Sequence, residues 1–122
     1  MKAKQRIRNV VKLNKDFSYS ENGIVYSKEA INDALSLIEE LEDMGFTEID
    51  AFPNESGAIH VAVDTPKYEL NIFVYGPNYF NFDKDNDRGI YDLLIDENGD
   101  EIYRRVGLYR ESIMAKIEHY KY

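Results

Sequence analysis

The sequence predicts an α+β fold: a helix packed on a mostly antiparallel sheet of about five or six strands, with an N-terminal amphipathic segment and a C-terminal helix. Three features predict it. Ile31, Ala34, Leu35, Ile38 and Leu41 make an apolar stripe at helical spacing. Residues 59–63 and 68–74, on either side of a short turn, place Ile59, Val61, Val63 and then Tyr68, Leu70, Ile72, Val74 at every second position. Asn98-Gly99 separates two further strand-like runs, a strong two-residue hairpin signal. The 122 residues read as one domain, 1–122, long enough to bury a core without covalent staples.

The elements follow in order. Residues 1–15 carry Lys2, Lys4, Arg6, Arg8, Lys12 and Lys15 and no acid. Ile7, Val10, Val11 and Asn14 fall at helical spacing, so a solvated helix laid on the core is expected, with a nucleic-acid or membrane-surface arm as the competing reading. Ser27 is placed to cap the clearest helix, and Glu29 suits the positive end of its dipole. Gly45 is its natural stop, after which Phe46 folds back on the last turn. Ile49 and Ala51 suggest a short strand ended by Pro53, and Asn54-Glu55-Ser56-Gly57 turns the chain.

Ile59, Val61 and Val63 then share a strand face, as do Leu70, Ile72 and Val74. Pairing Val63 with Tyr68 sets Val61 opposite Leu70 and Ile59 opposite Ile72. After Gly76-Pro77-Asn78, pairing Tyr75 with Tyr79 sets Val74 opposite Phe80 and Ile72 opposite Phe82, completing a three-stranded meander. Residues 83–89 read as a polar loop. Strands from Ile90 to Ile95 and from Glu101 to Val106 flank the Asn98-Gly99 turn. Leu108 to Tyr122 reads as a terminal helix with Tyr109, Ile113, Ile117 and Tyr120 on its apolar side.

Charge is segregated along the chain. The net charge is −8, yet residues 29–101 hold 19 Asp/Glu against Lys67, Lys84 and Arg88, while both ends are basic. Such a middle repels phosphate, which argues against nucleic acid as a direct partner, and attracts a basic surface or a cation. With no cysteine, disulfides, Cys-ligated zinc and thiol catalysis drop out together. No apolar run reaches the roughly 18–20 residues that span a bilayer, and no signal-peptide stretch follows the basic start, so a cytoplasmic location is expected and no membrane partner. Ten Tyr and six Phe, without Trp, supply side chains suited to core edges and interfaces.

Over residues 13–74 the layout resembles a family of small uncharacterised bacterial α+β proteins. The matching elements are Leu13-Asn14, Phe17-Ser18-Tyr19, Gly23, Ser27-Lys28-Glu29-Ala30-Ile31, Ala34, Pro53, Gly57-Ala58-Ile59 and Tyr68-Glu69-Leu70. The resemblance implies a helix on an antiparallel sheet. It implies no established activity and no catalytic residues.

Four constellations bear on chemistry. His60 lies mid-strand opposite Asn71 in the register above, with Glu69 diagonal. As a general base it needs an orienting carboxylate, a nucleophile and an oxyanion site, and no sequence motif supplies the last two. The 23 acids bring some pairs together in any fold, so their number does not indicate a glycosidase. Asp83, Asp85 and Asp87 alternate as in a calcium loop, but Arg88 stands where such a loop needs Gly and Leu94 where it needs Glu. The fourth is the second sheet face, with His60, Asn71, Phe73, Tyr75, Tyr79 and Asn81: aromatic, amide-bearing and rimmed by acids, as an interface centre is. A terminal segment laid over that face is the alternative.

The expected function is therefore a non-enzymatic acidic module that masks a basic surface on another protein, as inhibitors, immunity proteins, antitoxins and anti-defence proteins do, with a nuclease or other nucleic-acid-binding protein among the possible targets. Glu39, Glu40, Glu42, Asp43, Asp96, Glu97, Asp100 and Glu101 are the expected steering charges; Phe73, Tyr75 and Tyr79 are the expected anchors. No cofactor is expected. A calcium-binding domain using Asp83-Asp85-Asp87, or a small hydrolase using His60, are the alternatives.

Overall fold

The computed structural model describes residues 19–21, 24–26, 28–54, 57–75 and 90–121. A small hairpin comes first: β1 (Tyr19–Glu21) pairs antiparallel with β2 (Ile24–Tyr26). Sequence reading missed it, although Asn22-Gly23 between the two is the same hairpin signal as Asn98-Gly99. Helix α1 (Lys28–Asp43) follows, then β3 (Glu48–Pro53), β4 (Ile59–Asp64), β5 (Tyr68–Val74), β6 (Tyr91–Glu97) and β7 (Asp100–Leu108). Helix α2 (Arg110–Ile117) and a single 3-10 turn (Glu118–Tyr120) close the described chain. Strands β3 to β7 form one antiparallel sheet in sequence order. Simple hairpin order needs no crossover, which fits the short connections between β3 and β4, β4 and β5, and β6 and β7.

Helix α1 ends as its sequence requires. Gly45 takes φ +100°, its N–H donates to Glu42 O at 2.9 Å, and Phe46 N–H donates to Leu41 O at 3.1 Å. This pair of bonds satisfies carbonyls the helix end leaves open, and it turns Phe46 into the core. The buried stripe is wider than the periodicity suggested. Ala30, Ile31, Ala34, Leu37, Ile38 and Leu41 are all buried, while Leu35 sits at the margin.

One core joins everything on the inner face. Ala51, Ile59, Val61, Val63, Leu70, Ile72, Val74, Tyr91, Leu93 and Ile95 meet the α1 stripe, and Ile113 and Ile117 of α2 complete the same cluster. Both helices therefore pack on one side of the sheet. The terminal helix does not cover the outer face, as one reading of the sequence allowed. Tyr120 packs edge-to-face on Tyr68, ring centres 4.8 Å apart. Tyr109 precedes α2 and is 47% exposed, so it is not on the apolar side; Arg110 occupies that position instead.

Two register expectations need correction. Val63 pairs with Leu70, Val61 with Ile72 and Ile59 with Val74, two residues from the expected alignment. A shift of two keeps every side chain on its face, so hydrophobic alternation cannot detect it. The turn decides. Thr65 N–H donates to Tyr68 O at 2.8 Å, the Thr65 hydroxyl donates to the same oxygen at 3.0 Å, and Tyr68 N–H donates to that hydroxyl at 2.9 Å. These bonds draw the loop down to Pro66-Lys67. The second correction concerns the far edge of β5. It pairs with β6 along its whole length, Val74 with Tyr91 and Ile72 with Leu93, in place of residues 79–82. Seven residues of β6 with Tyr91, Leu93 and Ile95 fully buried offer a longer apolar ladder than four. Residues 79–82 themselves, the 1–15 segment, Ser27 and the 83–89 loop lie outside the described residues.

Candidate functional site: an acidic row on the outer sheet face

Cross-strand pairing carries side chains of one row to one face. Glu48 pairs with Asp64, Asp64 with Glu69, Glu69 with Asp96 and Asp96 with Glu101. Five carboxylates thus line up across all five strands on the face away from the helices. The next row reads Asp50, Ala62, Asn71, Leu94 and Arg104. The third holds Phe52, His60, Phe73 and Asp92. The outer face therefore grades from acidic at one end to aromatic at the other.

Ion pairing within the row is confined to its end. Arg104 Nε donates to Glu101 Oε1 at 2.6 Å. Glu48, Asp64, Glu69 and Asp96 make no ion pair among the described residues. Four of the face's carboxylates, from Glu48, Asp50, Asp64 and Glu69, line one open groove of about 600 Å³ together with Thr47, Ile49, Phe52 and Ala62. The groove combines negative charge with an aromatic wall. No group of three or more metal-ligating side chains converges among the described residues.

The aromatic strip is internally packed. The His60 ring stacks on Phe73, centres 4.5 Å apart and planes at 18°, and meets Phe52 edge-on at 4.5 Å. His60 Nε2 lies 2.8 Å from Asn71 Oδ1. The expected amide partner is therefore present, but it reaches diagonally, since Phe73 and not Asn71 is directly opposite. Glu69 belongs to the acidic row, two rows away from His60, and the groove's lining does not include the imidazole. Tyr75, one of the expected anchors, donates its hydroxyl to Asp92 Oδ2 at 2.7 Å. Tyr79 and the Asp83, Asp85 and Asp87 loop lie outside the described residues.

The expected steering acids divide between two sides of the molecule. Asp96 and Glu101 belong to the outer row. Asp100 is exposed beside the β6–β7 turn, and Glu97 is bound to Lys67 at 3.4 Å, a contact that holds the lysine ammonium above its ordinary pKa. Glu39, Glu42 and Asp43 are exposed on α1, beneath the inner face. Glu40 accepts from Arg110 Nη1 at 2.5 Å, so its charge is neutralised internally.

That last contact belongs to a cluster that sequence reading did not find. Arg110, Asp33 and Tyr91 meet in the core between α1, α2 and β6, with only 3% and 1% of the arginine and aspartate side chains exposed. Arg110 Nη2 pairs with Asp33 Oδ1 and also donates to the Asp33 carbonyl at 3.1 Å. Arg110 Nε donates to the Tyr91 hydroxyl at 2.9 Å, and that hydroxyl donates to Asp33 Oδ1 at 2.5 Å. Every buried polar side-chain atom described has a partner. Burial, then the neighbouring Asp33 charge, pushes the Tyr91 hydroxyl well above its usual pKa. Burial opposes the Arg110 charge, but Tyr91 and Asp33 outweigh it and raise the arginine further. With no unsatisfied buried side-chain atom among the described residues, this closed set of bonds pins the helices to the sheet.

Comparison with protein-family models, curated proteins and solved structures finds no match. No described helix is long and apolar enough to cross a membrane.

Proposed function

We propose that this chain is a non-enzymatic binding module of the cytoplasm whose outer sheet face masks a basic surface on a partner protein, as an inhibitor, immunity or anti-defence protein does. One observation carries the reading: the row Glu48, Asp64, Glu69, Asp96 and Glu101, four of its five members without an internal cation among the described residues. Aligned like charges repel one another across strands and oppose folding. An array that costs stability and is left uncompensated is suited to an external cation. The groove lined by Glu48, Asp50, Asp64 and Glu69 takes one long basic side chain, with Phe52 against its alkyl stem. The neighbouring Phe52, His60 and Phe73 strip supplies the apolar contact that holds a complex once charge has steered it together.

The test is capture of the partner from the native host on the immobilised chain, followed by association kinetics. Added salt should slow association steeply. Glu48→Lys with Asp64→Lys and Glu69→Lys should lower the on-rate more than it raises the off-rate. Binding that is indifferent to salt and to these substitutions defeats the reading.

A further inference from the structure

The two edges of the sheet are unlike. Strand β3 is six residues long, ends at Pro53 and carries charges of one sign only, Glu48 and Asp50, features that discourage pairing with a second copy of itself. Strand β7 is nine residues long, and no strand pairs with its outer side among the described residues. Among the described residues, the large apolar side chains that stand exposed, Ile102 at 47%, Val106 at 68% and Tyr109 at 47%, all lie on β7 or directly after it. Its sequence from 100 to 105 is Asp-Glu-Ile-Tyr-Arg-Arg: two acids, two apolar-bodied residues, two bases. Read against its own reverse, this string is complementary in charge.

The geometry points to β7 pairing antiparallel with β7 of a second copy of this chain, about a two-fold axis through the Ile102–Tyr103 step. In that register Glu101 faces Arg104 of the second copy and Asp100 faces its Arg105, and symmetry repeats both pairs. The faces agree. Glu101 stands opposite Asp96 and Arg104 opposite Leu94, both on the outer face, and their 2.6 Å contact within one chain shows they share it. Asp100 stands opposite Glu97 and Arg105 opposite Leu93, both on the inner face. Ordinary alternation would put residues 101 and 104 on opposite faces. The irregularity between Ile95 and Asp96, where Ile102 is the extra residue of β7, brings them together. A two-fold axis perpendicular to the sheet keeps outer face on outer face, so all four pairs form at once.

Other registers are worse. Sliding by two residues sets Arg104 opposite Tyr103 in one direction and opposite Gly99 in the other, and either slide removes all four pairs. Sliding by four sets Arg104 opposite Arg105, like charge on like. The intrachain Arg104–Glu101 bridge is solvent-exposed, 61% and 41%, and offers little resistance to exchange. Ile102 of each copy lies beside Tyr103 of the other at the centre of the joint. The seam lies on the edge of the sheet and leaves β3 to β5 of the outer face, with the groove, open for the partner proposed above.

Molar mass from light scattering and sedimentation velocity, taken from micromolar to submillimolar protein, tests this. The wild-type chain should become dimeric. Asp100→Lys with Glu101→Lys makes the edge basic throughout, and Arg104→Glu with Arg105→Glu makes it acidic throughout. Each double variant alone should lose dimer affinity by about tenfold or more, since four like-charge cross-strand contacts replace four opposite ones. Mixed in equal amounts, the two should recover the dimer. A wild-type chain monomeric at submillimolar concentration overturns the proposal. So does a double variant that dimerises as well as wild type, or a mixture that stays monomeric with both variants folded by circular dichroism. Amide exchange on the wild-type chain needs no variant: residues 100–105 should slow as concentration rises. Protection gained only elsewhere overturns the proposal.

Discussion

The two faces of the sheet handle charge in opposite ways. On the inner face, Asp33 and Arg110 are almost fully buried, and each is held by the other and by Tyr91. On the outer face, Glu48, Asp64, Glu69 and Asp96 stand in line with no ion pair among the described residues. Charges removed from water must be matched or they destabilise the fold. Charges left in water are tolerated unmatched, because solvent screens them. The buried set therefore reads as architecture, and the exposed set is free to act on something outside the chain.

The sharpest way to break this contrast is at the buried set. Arg110→Met should destabilise the fold by about 3–5 kcal/mol in chemical denaturation, because Asp33 is left as an uncompensated buried charge. Adding Asp33→Leu should recover a substantial part of that loss. A smaller effect is expected from Tyr91→Phe, about 1–3 kcal/mol at neutral pH, from the hydrogen bonds lost at Asp33 and Arg110. The same variant tests a pH dependence. The Tyr91 hydroxyl titrates higher in the folded chain than its ordinary value of 10.0. Its contribution is complete below that value and is lost as pH rises through the folded one. Denaturation midpoints above pH 10 should fall more for wild type than for Tyr91→Phe.

The outer face should show the reverse profile. Glu48→Lys with Asp64→Lys and Glu69→Lys should leave stability within about 0.5 kcal/mol per site or raise it, while slowing association with the partner about tenfold at low salt. The smallest effect belongs to the α1 acids. Glu39→Lys with Glu42→Lys and Asp43→Lys should change the on-rate by about twofold at most, since these residues lie on the far side of the sheet from the groove and are largely screened at physiological salt. If the α1 variant slows association more than the outer-row variant, the binding face is the helical one.

Much of this was legible from residue patterns, and the failures have definite causes. The α1 span, its Gly45 stop, β3, the Asn98-Gly99 turn and the inward positions of β4 and β5 follow from short-range spacing. Asn98 at φ +54° and Gly99 at φ +84° take the conformations that such a turn demands. The buried cluster was also written in the sequence. Arg110 stands at helical spacing from Ile113 and Ile117, and Asp33 lies inside the α1 stripe, each a charge at an apolar position. Such an anomaly marks a buried partner, but it does not say which residue, 77 positions away, the partner is. The acidic row was hidden for another reason. Its five members are scattered from 48 to 101, and only the register of four hairpins aligns them.

The residue order alone determined the span of α1 and its stop at Gly45, the turn at Asn98-Gly99 and which side of β4 and β5 is apolar. Those properties depend on neighbours a few positions apart. Folding in three dimensions decided the two-residue alignment of β4 with β5, the choice of β6 as the next strand, and the packing of both helices on a single face. It also decided which carboxylates are spent on Arg110 and which face water. These outcomes depend on pairings between distant segments that satisfy the same local pattern equally well, so only the packed arrangement distinguishes among them.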